Sequence, residues 1–252
     1  MDIKLFSTFV YIWIGLAILI FIILFFISAP YGRHTRKNWG PMISNKTGWI
    51  MMELPSLIIF SYFVVTGEGE KNEFIWFFSV LWILHYINRS VIFPFRIKSG
   101  NKPMPLVVAL MAIFFNFFNG FFNGYFLGNF AGEFYSYNIF SITFLLGVIL
   151  FFAGIYINMS SDQKLMNLRK TAKNGYVVPV GGMFKYISSP NYFGELVEWL
   201  GFAIMVGGLP AFSFFIWTFA NLVPRAIDNH KWYKQKFETY PVERKALIPY
   251  IL

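Results

Sequence analysis

The sequence predicts an all-α integral membrane protein with seven transmembrane helices. Hydrophobic residues make up 57% of the 252 residues and charged residues only 13%, and the mean hydropathy is +0.55. Residues 5–32, 105–132, 134–161 and 199–224 contain no Asp, Glu, Lys or Arg. A membrane-spanning helix needs about 20 apolar residues. These charge-free stretches are therefore long enough to cross a bilayer.

Seven spans follow from these stretches and from shorter apolar runs between them. The second and sixth spans are the least regular, because Glu53 lies in the second and Glu195 and Glu198 lie in the sixth. The first span lacks a basic leader and a cleavage site of small residues, so we expect it to remain as helix one. The predicted spans are 6–28, 49–65, 74–92, 105–127, 139–158, 192–207 and 210–223.

Positive charge alternates along the chain in a way that predicts the orientation. The first, third and fifth connections and the carboxyl-terminal tail hold most of the Lys and Arg, whereas the second and fourth hold mainly Glu. Because Lys and Arg are enriched in cytoplasmic loops, we expect the N-terminus outside or in the lumen and the C-terminus in the cytosol. Residues 1–252 then form a single multi-pass domain of the endoplasmic reticulum or a bacterial inner membrane.

The remaining composition excludes several classes of function. The net charge of +9 is explained by cytoplasmic loops and by attraction to anionic lipid, and the chain has no soluble basic domain that could bind nucleic acid. Cys is absent and only three His are present, so we expect neither disulfides nor a metal site. The lipid bilayer is the expected surrounding, and we expect a monomer.

Glu53 is the first candidate for a functional residue. Ionisable side chains at membrane depth are costly and persist mainly where they face a bundle interior or a wet cavity. Tyr86 lies near the basic end of the third span, the side from which the second helix enters. Glu53 and Tyr86 are therefore expected at similar depth, although Tyr86 alone also fits an interfacial aromatic anchor.

Three asparagines in the fourth span form a second polar pattern. Asn116, Asn119 and Asn123 follow the spacing i, i+3 and i+7, which places them on one helix face. Polar and small residues on one face commonly join membrane helices. The alternative is a polar wall of a ligand cavity, and the sequence leaves both interpretations open.

Polar residues after the fifth span predict a nucleotide-like ligand. If helix five continues beyond the membrane, Asn158, Asp162 and Arg169 share one face, where a carboxylate suits ribose hydroxyls and an arginine suits phosphate. A solvated, salt-bridged helix is the alternative. Asn191 and Glu195, with Glu198, align in the same way at the start of the sixth span.

The tail extends this cytosolic polar region. Arg225, Asn229 and Tyr233 share a face at i, i+4 and i+8. A cytosolic end rich in Arg, Asn, Tyr and acids suits a polyanionic, hydroxyl-rich molecule such as a nucleotide cofactor. No G-x-G-x-x-G or Walker motif accompanies it.

These motifs together resemble the steroid 5α-reductase family, the membrane 3-oxo-5α-steroid 4-dehydrogenases, over essentially the full length. Ordered matches of this extent are strong evidence of membership, and they specify the substrate less well. The resemblance is densest in Tyr31–Thr35, Glu53–Ser56, Leu84–Tyr86, Asn158–Asp162, Pro190–Glu195, Glu198–Trp199 and Arg225–Pro249.

The resemblance implies a seven-helix enzyme that binds NADPH from the cytosolic side and reduces the conjugated double bond of a 3-oxo-Δ4-steroid or steroid-like lipid. It implies that Glu53 and Tyr86 are catalytic and lie at the substrate carbonyl, with about residues 1–100 forming that site. About residues 155–252 would form most of the NADPH site. The implied cofactor-binding residues are Tyr31, Asn158, Asp162, Arg169, Tyr176, Asn191, Glu195, Trp199, Arg225, Asn229 and Tyr233.

The chemistry fits the catalytic pair. Hydride adds to the β-carbon of an enone only if the developing charge on the carbonyl oxygen is stabilised, and a preorganised donor is worth about 3–4 kcal/mol. We expect Tyr86 to donate to that oxygen while Glu53 orients it or donates as a neutral acid. The chain departs from the family pattern at Met52, Val177 and Asn229, which puts the exact steroid and the cofactor affinity in doubt.

Other functions remain as alternatives to steroid reduction. The substrate could be another unsaturated lipid, such as a polyprenol or an enoyl thioester. An S-adenosylmethionine-dependent membrane methyltransferase would have no use for Glu53 and Tyr86. A transporter built on intramembrane acids would usually show repeated halves, and the sequence has none.

Overall fold

The computed structural model describes residues 1–36, 38–97, 103–134, 141–171 and 176–252, and these ranges are largely helical. Two short strands, β1 (Met42–Ser44) and β2 (Pro103–Pro105), pair antiparallel with Met42 opposite Pro105. The helices are α1 (Ile3–Phe26), α2 (Asn45–Thr66), α3 (Glu73–Ile87), α4 (Phe93–Arg96), α5 (Leu106–Asn129), α6 (Ala131–Phe134), α7 (Ile142–Thr171), α8 (Pro190–Val206) and α9 (Leu209–Lys236).

Within the described residues, five helices are long and apolar enough to cross a membrane, as expected of an all-α membrane protein. All seven predicted spans fall largely on helices, although residues 139–140 of the fifth span lie outside the described residues. Helix α8 has only 17 residues and carries Glu195 and Glu198. Seven spans and their orientation therefore stay predictions. The five candidate spans are Ile3–Phe26, Asn45–Thr66, Glu73–Arg96, Leu106–Asn129 and Ile142–Arg169.

The chain forms two compact units, which are described separately. Unit one holds α2 to α6 and the strands, and unit two holds α7, α8, most of α9 and the tail. Unit one comprises Met1–Val10, Ala29–Ile139 and Gly208–Pro210, and unit two comprises Tyr11–Ser28, Phe140–Gly207 and Ala211–Leu252.

In unit one, α2 and α5 approach at backbone distance because the second half of α5 carries Gly120, Gly124 and Gly128, one glycine on each turn. A Cβ atom added at Gly124 would lie 2.6 Å from the Phe60 carbonyl oxygen, and one at Gly120 would lie 3.1 Å from that of Ser56. Such spacing of small residues is a common way to bring membrane helices together. The contact brings the middle of α5, including Asn116, beside the part of α2 that carries Glu53.

A π-turn, Asn88–Ile92, joins α3 to α4 in unit one. The Phe93 N–H bonds to the Asn88 carbonyl, and Pro94 has no N–H with which to continue regular α-helical bonding. Single π-turns of this kind are frequent at functional sites. Arg89, which lies in this turn, is buried, with 8% of its surface exposed.

In unit two, α7 and α8 run antiparallel and touch through glycines. A Cβ added at Gly201 would lie 2.6 Å from the Gly147 carbonyl oxygen, and one at Gly194 would lie 2.7 Å from that of Gly154. Helix α7 continues unbroken to Thr171, past the predicted end of the fifth span at residue 158, so the condition under which Asn158, Asp162 and Arg169 share one face is met.

The tail of unit two holds the start of α8 in place. The Ser188 N–H donates to the Lys245 carbonyl at 2.8 Å, and the Lys245 N–H donates to the Tyr186 carbonyl at 2.9 Å. Pro190 then begins α8, a position where proline costs no helical hydrogen bond. The segment before α8 is therefore fixed by main-chain bonds rather than by a side-chain cap.

Candidate active site

Glu53 lies on α2 beside a positive charge. Helix α2 begins after Ser44, whose hydroxyl accepts from the Thr47 N–H at 3.0 Å. Just over two turns later, Glu53 Oε1 lies 3.7 Å from Arg89 Nη2, and the two side chains are only 14% and 10% exposed. The acid predicted at membrane depth is therefore held in an ion pair with an arginine from the π-turn.

Aromatic rings enclose the arginine of this pair. The Arg89 guanidinium carbon lies 4.7 Å from the centre of the Trp49 ring and 4.8 Å from that of Phe93. Cations are attracted to the faces of such rings, and the attraction strengthens when water is excluded. Trp49 and Phe93 therefore fix the guanidinium while leaving its N–H groups directed to other partners.

Tyr86 and Glu53 are connected through Asn116. Tyr86 is 3% exposed, and its hydroxyl donates to Asn116 Oδ1 at 3.4 Å. The Asn116 amide nitrogen donates to the Met52 carbonyl at 2.6 Å and to Glu53 Oε2 at 3.5 Å. The predicted proximity of Glu53 and Tyr86 is thus seen in unit one, with Asn116 between the two side chains.

A second polar cluster joins α7 to α8 in unit two. The Asn158 amide donates to the Asn191 carbonyl at 3.0 Å and to Glu195 Oε2 at 3.4 Å. The Asn191 amide donates to Asp162 Oδ1 at 3.1 Å. Four of the residues that the sequence assigned to a cofactor therefore form one hydrogen-bonded network, positioned by the glycine contacts of the two helices.

Three further predicted residues lie along α9. The Asn229 amide donates to Ser189 Oγ at 3.5 Å, immediately before α8. Arg225, one turn earlier, is half-buried, while Tyr233 is 2% exposed and stacks on Tyr240 with a centroid distance of 5.3 Å. Tyr233 is therefore held by aromatic packing, whereas Arg225 and Asn229 place polar groups on the same helix.

The other predicted cofactor residues are more scattered. Arg169 is exposed near the end of α7, and Tyr176 packs its ring on Trp232 at 4.9 Å. Trp199 is 1% exposed and lies among aromatic rings, with Phe214 at 4.5 Å. Tyr31 belongs to unit one, where it precedes a 3₁₀ turn. A cofactor role for these four residues, as for the other seven predicted cofactor residues, stays a prediction.

A hydroxyl and imidazole contact lies next to the second cluster. Ser188 Oγ is 2.6 Å from His230 Nδ1 and 2.6 Å from the Tyr240 hydroxyl. Burial, followed by the positive charges of Lys234 and Lys245, lowers the pKa of His230 below its usual 6.5. His230 is therefore neutral at physiological pH, where it can accept or donate in this contact.

Sequence reasoning missed Arg89 and Asn116 as parts of the first cluster. The sequence places Arg89 at the basic end of the third span without linking it to Glu53, and it groups Asn116 with Asn119 and Asn123 on one helix face. A signal for Arg89 was present, because a second ionisable residue within a predicted span requires a partner. No pattern in the sequence distinguishes Asn116 from the other two asparagines.

Comparison with known proteins agrees with the resemblance seen in the motifs. The family described as 3-oxo-5-alpha-steroid 4-dehydrogenase matches residues 102–252, which include the second cluster. A steroid 5-alpha-reductase of Arabidopsis thaliana is 38% identical over 236 residues, covering 91% of this chain and 90% of its own. The 3-oxo-5-alpha-steroid 4-dehydrogenase 1 of Bos taurus is 37% identical (96% and 95% covered), and that of Homo sapiens is 33% identical (89% and 86% covered). This chain therefore belongs to the 3-oxo-5-alpha-steroid 4-dehydrogenase family, a family of oxidoreductases.

Proposed function

We propose that the protein uses NADPH to reduce the carbon–carbon double bond of a 3-oxo-Δ4-steroid, giving the 5α-reduced product. The names of its relatives, steroid 5-alpha-reductase and 3-oxo-5-alpha-steroid 4-dehydrogenase, support this substrate class. The observation that carries the proposal is the buried cluster of Glu53, Tyr86, Asn116 and Arg89. It presents a phenol donor next to an ion-paired carboxylate on apolar helices.

Tyr86 is the proposed donor to the steroid ketone. When hydride adds to C5, negative charge develops on the C3 oxygen, and a preorganised donor in a water-poor site stabilises that charge. The Tyr86 hydroxyl donates to Asn116 Oδ1 over a long distance, 3.4 Å, and in this proposal it exchanges that bond for one to the ketone oxygen. The second hydrogen enters at C4 as a proton, so the product gains two hydrogens.

Glu53 is the group that we propose orients Tyr86. Its two carboxylate oxygens face donors, the guanidinium of Arg89 and the amide of Asn116. Since Arg has no acceptor, Glu53 is the acceptor of both interactions. This arrangement favours an orienting role for Glu53 over donation as a neutral acid.

The second cluster fits the chemistry of NADPH. The carboxylates of Asp162 and Glu195 match ribose hydroxyls, and the amides of Asn158 and Asn191 hold those acids in place. The half-buried Arg225 and the exposed Arg169 offer guanidinium groups suited to phosphate. When bound, the cofactor supplies the hydride, and the surrounding residues supply orientation and polarity.

The membrane setting completes the proposal. We propose seven spans, with the second cluster and the tail on the cytosolic side, where basic residues concentrate. The proposed substrate reaches the protein from the bilayer, since a steroid is apolar. We propose that the protein acts as a monomer, without a metal ion.

The proposal is tested with purified protein in detergent, NADPH, and a 3-oxo-Δ4-steroid such as progesterone. We expect NADPH oxidation and a product heavier by two hydrogens, identified by mass spectrometry, with NADH tested in parallel. Tyr86→Phe removes the donor and is expected to lower kcat by about 10²–10³-fold, the cost typical of losing one preorganised donor. Glu53→Gln is expected to lower kcat by at least tenfold.

Matched controls separate chemistry from general damage. Tyr62→Phe removes the hydroxyl of a tyrosine that is 58% exposed on the same helix as Glu53, and we expect full activity. Near-normal turnover by both Tyr86→Phe and Glu53→Gln would rule out the catalytic assignment. Stabilisation by NADPH without steroid turnover would redirect the search to other unsaturated lipids.

A further inference from the structure

The Asn116 amide differs in its hydrogen bonds from the Asn123 amide, which lies on the same helix face. The Asn123 amide donates to the Asn119 carbonyl at 3.0 Å, and the Asn119 amide donates to the Phe115 carbonyl at 2.9 Å, so both bonds stay within α5. The Asn116 amide instead crosses to α2 and to Tyr86 of α3. All three side chains are buried, so burial alone does not account for the difference.

The orientation of the Asn116 amide is fixed by its shortest bond. The Met52 carbonyl, 2.6 Å away, is only an acceptor, so it must face the amide nitrogen of Asn116. The amide oxygen then faces Tyr86, whose hydroxyl proton it accepts at 3.4 Å. The second N–H of the same amide faces Glu53 Oε2 at 3.5 Å. One amide thus sets the direction of both proposed reactive side chains.

The lengths of these bonds indicate how Asn116 acts. Its bond to Met52 is short, whereas its bonds to Tyr86 and Glu53 are at the long end of hydrogen-bond geometry. The amide is therefore anchored to the backbone and holds the two reactive groups weakly. A ketone oxygen can replace Asn116 as the acceptor of the Tyr86 proton at little cost.

We propose that Asn116 is a positioning residue of the enone-reduction site, holding the Tyr86 hydroxyl and the Glu53 carboxylate in the geometry that a steroid ketone requires. The inference rests on the function proposed above. The close contact of Gly120 and Gly124 with α2 supports it, because it keeps Asn116 within reach of Met52.

Steady-state kinetics on Asn116→Leu test this inference, with Asn123→Leu as the matched control. Leucine fills a similar volume but removes the amide, so the Tyr86 hydroxyl loses the acceptor that orients it. We expect kcat to fall about tenfold or more, since small misplacements of reacting groups have effects of this size. KM for NADPH should stay unchanged. Rates are normalised to the fraction of protein that binds NADPH, so that a loss of folded protein does not lower kcat.

The Asn123→Leu control decides whether Asn116 positions Tyr86 and Glu53 or only helps to join the helices. Asn123→Leu removes an equally buried amide from the same face, and we expect its normalised kcat to stay within about twofold of the parent protein, because the amide bonds only within α5. If Asn116→Leu does not fold, Asn116→Ala and Asn123→Ala provide the same comparison without added bulk.

The outcomes separate this inference from the proposed function. Equal normalised kcat values for the Asn116 and Asn123 variants, with an active parent protein, would overturn the positioning role and leave the reductase assignment intact. A parent protein that binds NADPH but reduces no 3-oxo-Δ4-steroid would overturn the proposed function, and this inference with it.

Discussion

At the scale of single residues, the pairing of Glu53 with Arg89 explains how an acid is accommodated in a membrane helix. An isolated buried charge costs several kcal/mol, and a partner recovers that cost only where the geometry and the further hydrogen bonds are good. Here the carboxylate also receives the Asn116 amide, and the guanidinium lies over two aromatic rings. The Glu53 carboxylate is therefore fixed in one orientation, and the cost of burying its charge is offset.

This pairing predicts the effect of removing the arginine. Arg89→Met leaves Glu53 without its cation and is expected to lower the free energy of unfolding, by less than the about 3–5 kcal/mol typical of fully buried pairs, because both side chains are slightly exposed. The rate of steroid reduction by Arg89→Met should fall as well. Thermal unfolding in detergent and steroid reduction are the measurements.

Two variants complete the test of Arg89. Arg89→Lys keeps the charge but loses the planar fork, so we expect partial recovery of both stability and turnover. Lys46→Met removes an exposed cation that lies over Phe95, and it should change neither. An Arg89→Met protein as stable and active as the parent would show that Glu53 does not depend on this partner.

At the scale of helices, glycine contacts determine which polar residues meet. Gly120 and Gly124 draw α5 onto α2, and Gly194 and Gly201 draw α8 onto α7. The polar clusters lie next to these contacts, because short amide side chains reach a neighbouring helix only when the backbones are close. We therefore expect the Gly120 and Gly194 contacts to influence activity through the positions of Asn116 and Asn158.

Gly201→Ala tests the contact between α7 and α8. The added methyl carbon would lie 2.6 Å from the Gly147 carbonyl oxygen, so the helices must separate. We expect a loss of about 1–3 kcal/mol in the free energy of unfolding, the usual cost of overpacking. Gly15→Ala is the control, because nothing lies within 4 Å of its added carbon. It should be neutral or slightly stabilising, since Ala favours helix over Gly.

At the scale of the whole molecule, the proposed roles divide between the two compact units. Glu53, Tyr86 and their partners belong to unit one, whereas Asn158, Asp162, Asn191 and Glu195 belong to unit two. The proposed reaction therefore assigns carbonyl activation to unit one and most of cofactor binding to unit two, since Tyr31 is the one predicted cofactor residue in unit one. The two activities should respond to different substitutions.

NADPH-dependent thermal stabilisation tests this division. A ligand at 100 times its Kd stabilises the folded protein by about 2.7 kcal/mol. Asn158→Leu breaks the bonds to Asn191 and Glu195, so we expect most of this stabilisation to be lost. Glu53→Gln should retain it while losing turnover. Loss of stabilisation in Glu53→Gln but not in Asn158→Leu would contradict the assignment.

Much of the helical framework was predictable because it depends on local composition. Long apolar stretches require helices in a membrane, since backbone polar groups have no other partners there. The sequence left the continuation of α7 to Thr171 open, because the shared face of Asn158, Asp162 and Arg169 exists only if the helix continues. The predicted end of the fourth span was two residues short, because α5 continues to Asn129.

The sequence by itself determined the membrane class, the positions of the helices, the family resemblance and the candidate residues, because hydropathy, periodicity and motifs are properties of neighbouring residues. Only the tertiary structure decided that Arg89 pairs with Glu53, that Asn116 and not Asn123 reaches Tyr86, and that Asn158 binds Asn191. These contacts join residues about 30 or more positions apart on different helices. Their geometry depends on how closely the backbones approach, which no local pattern specifies.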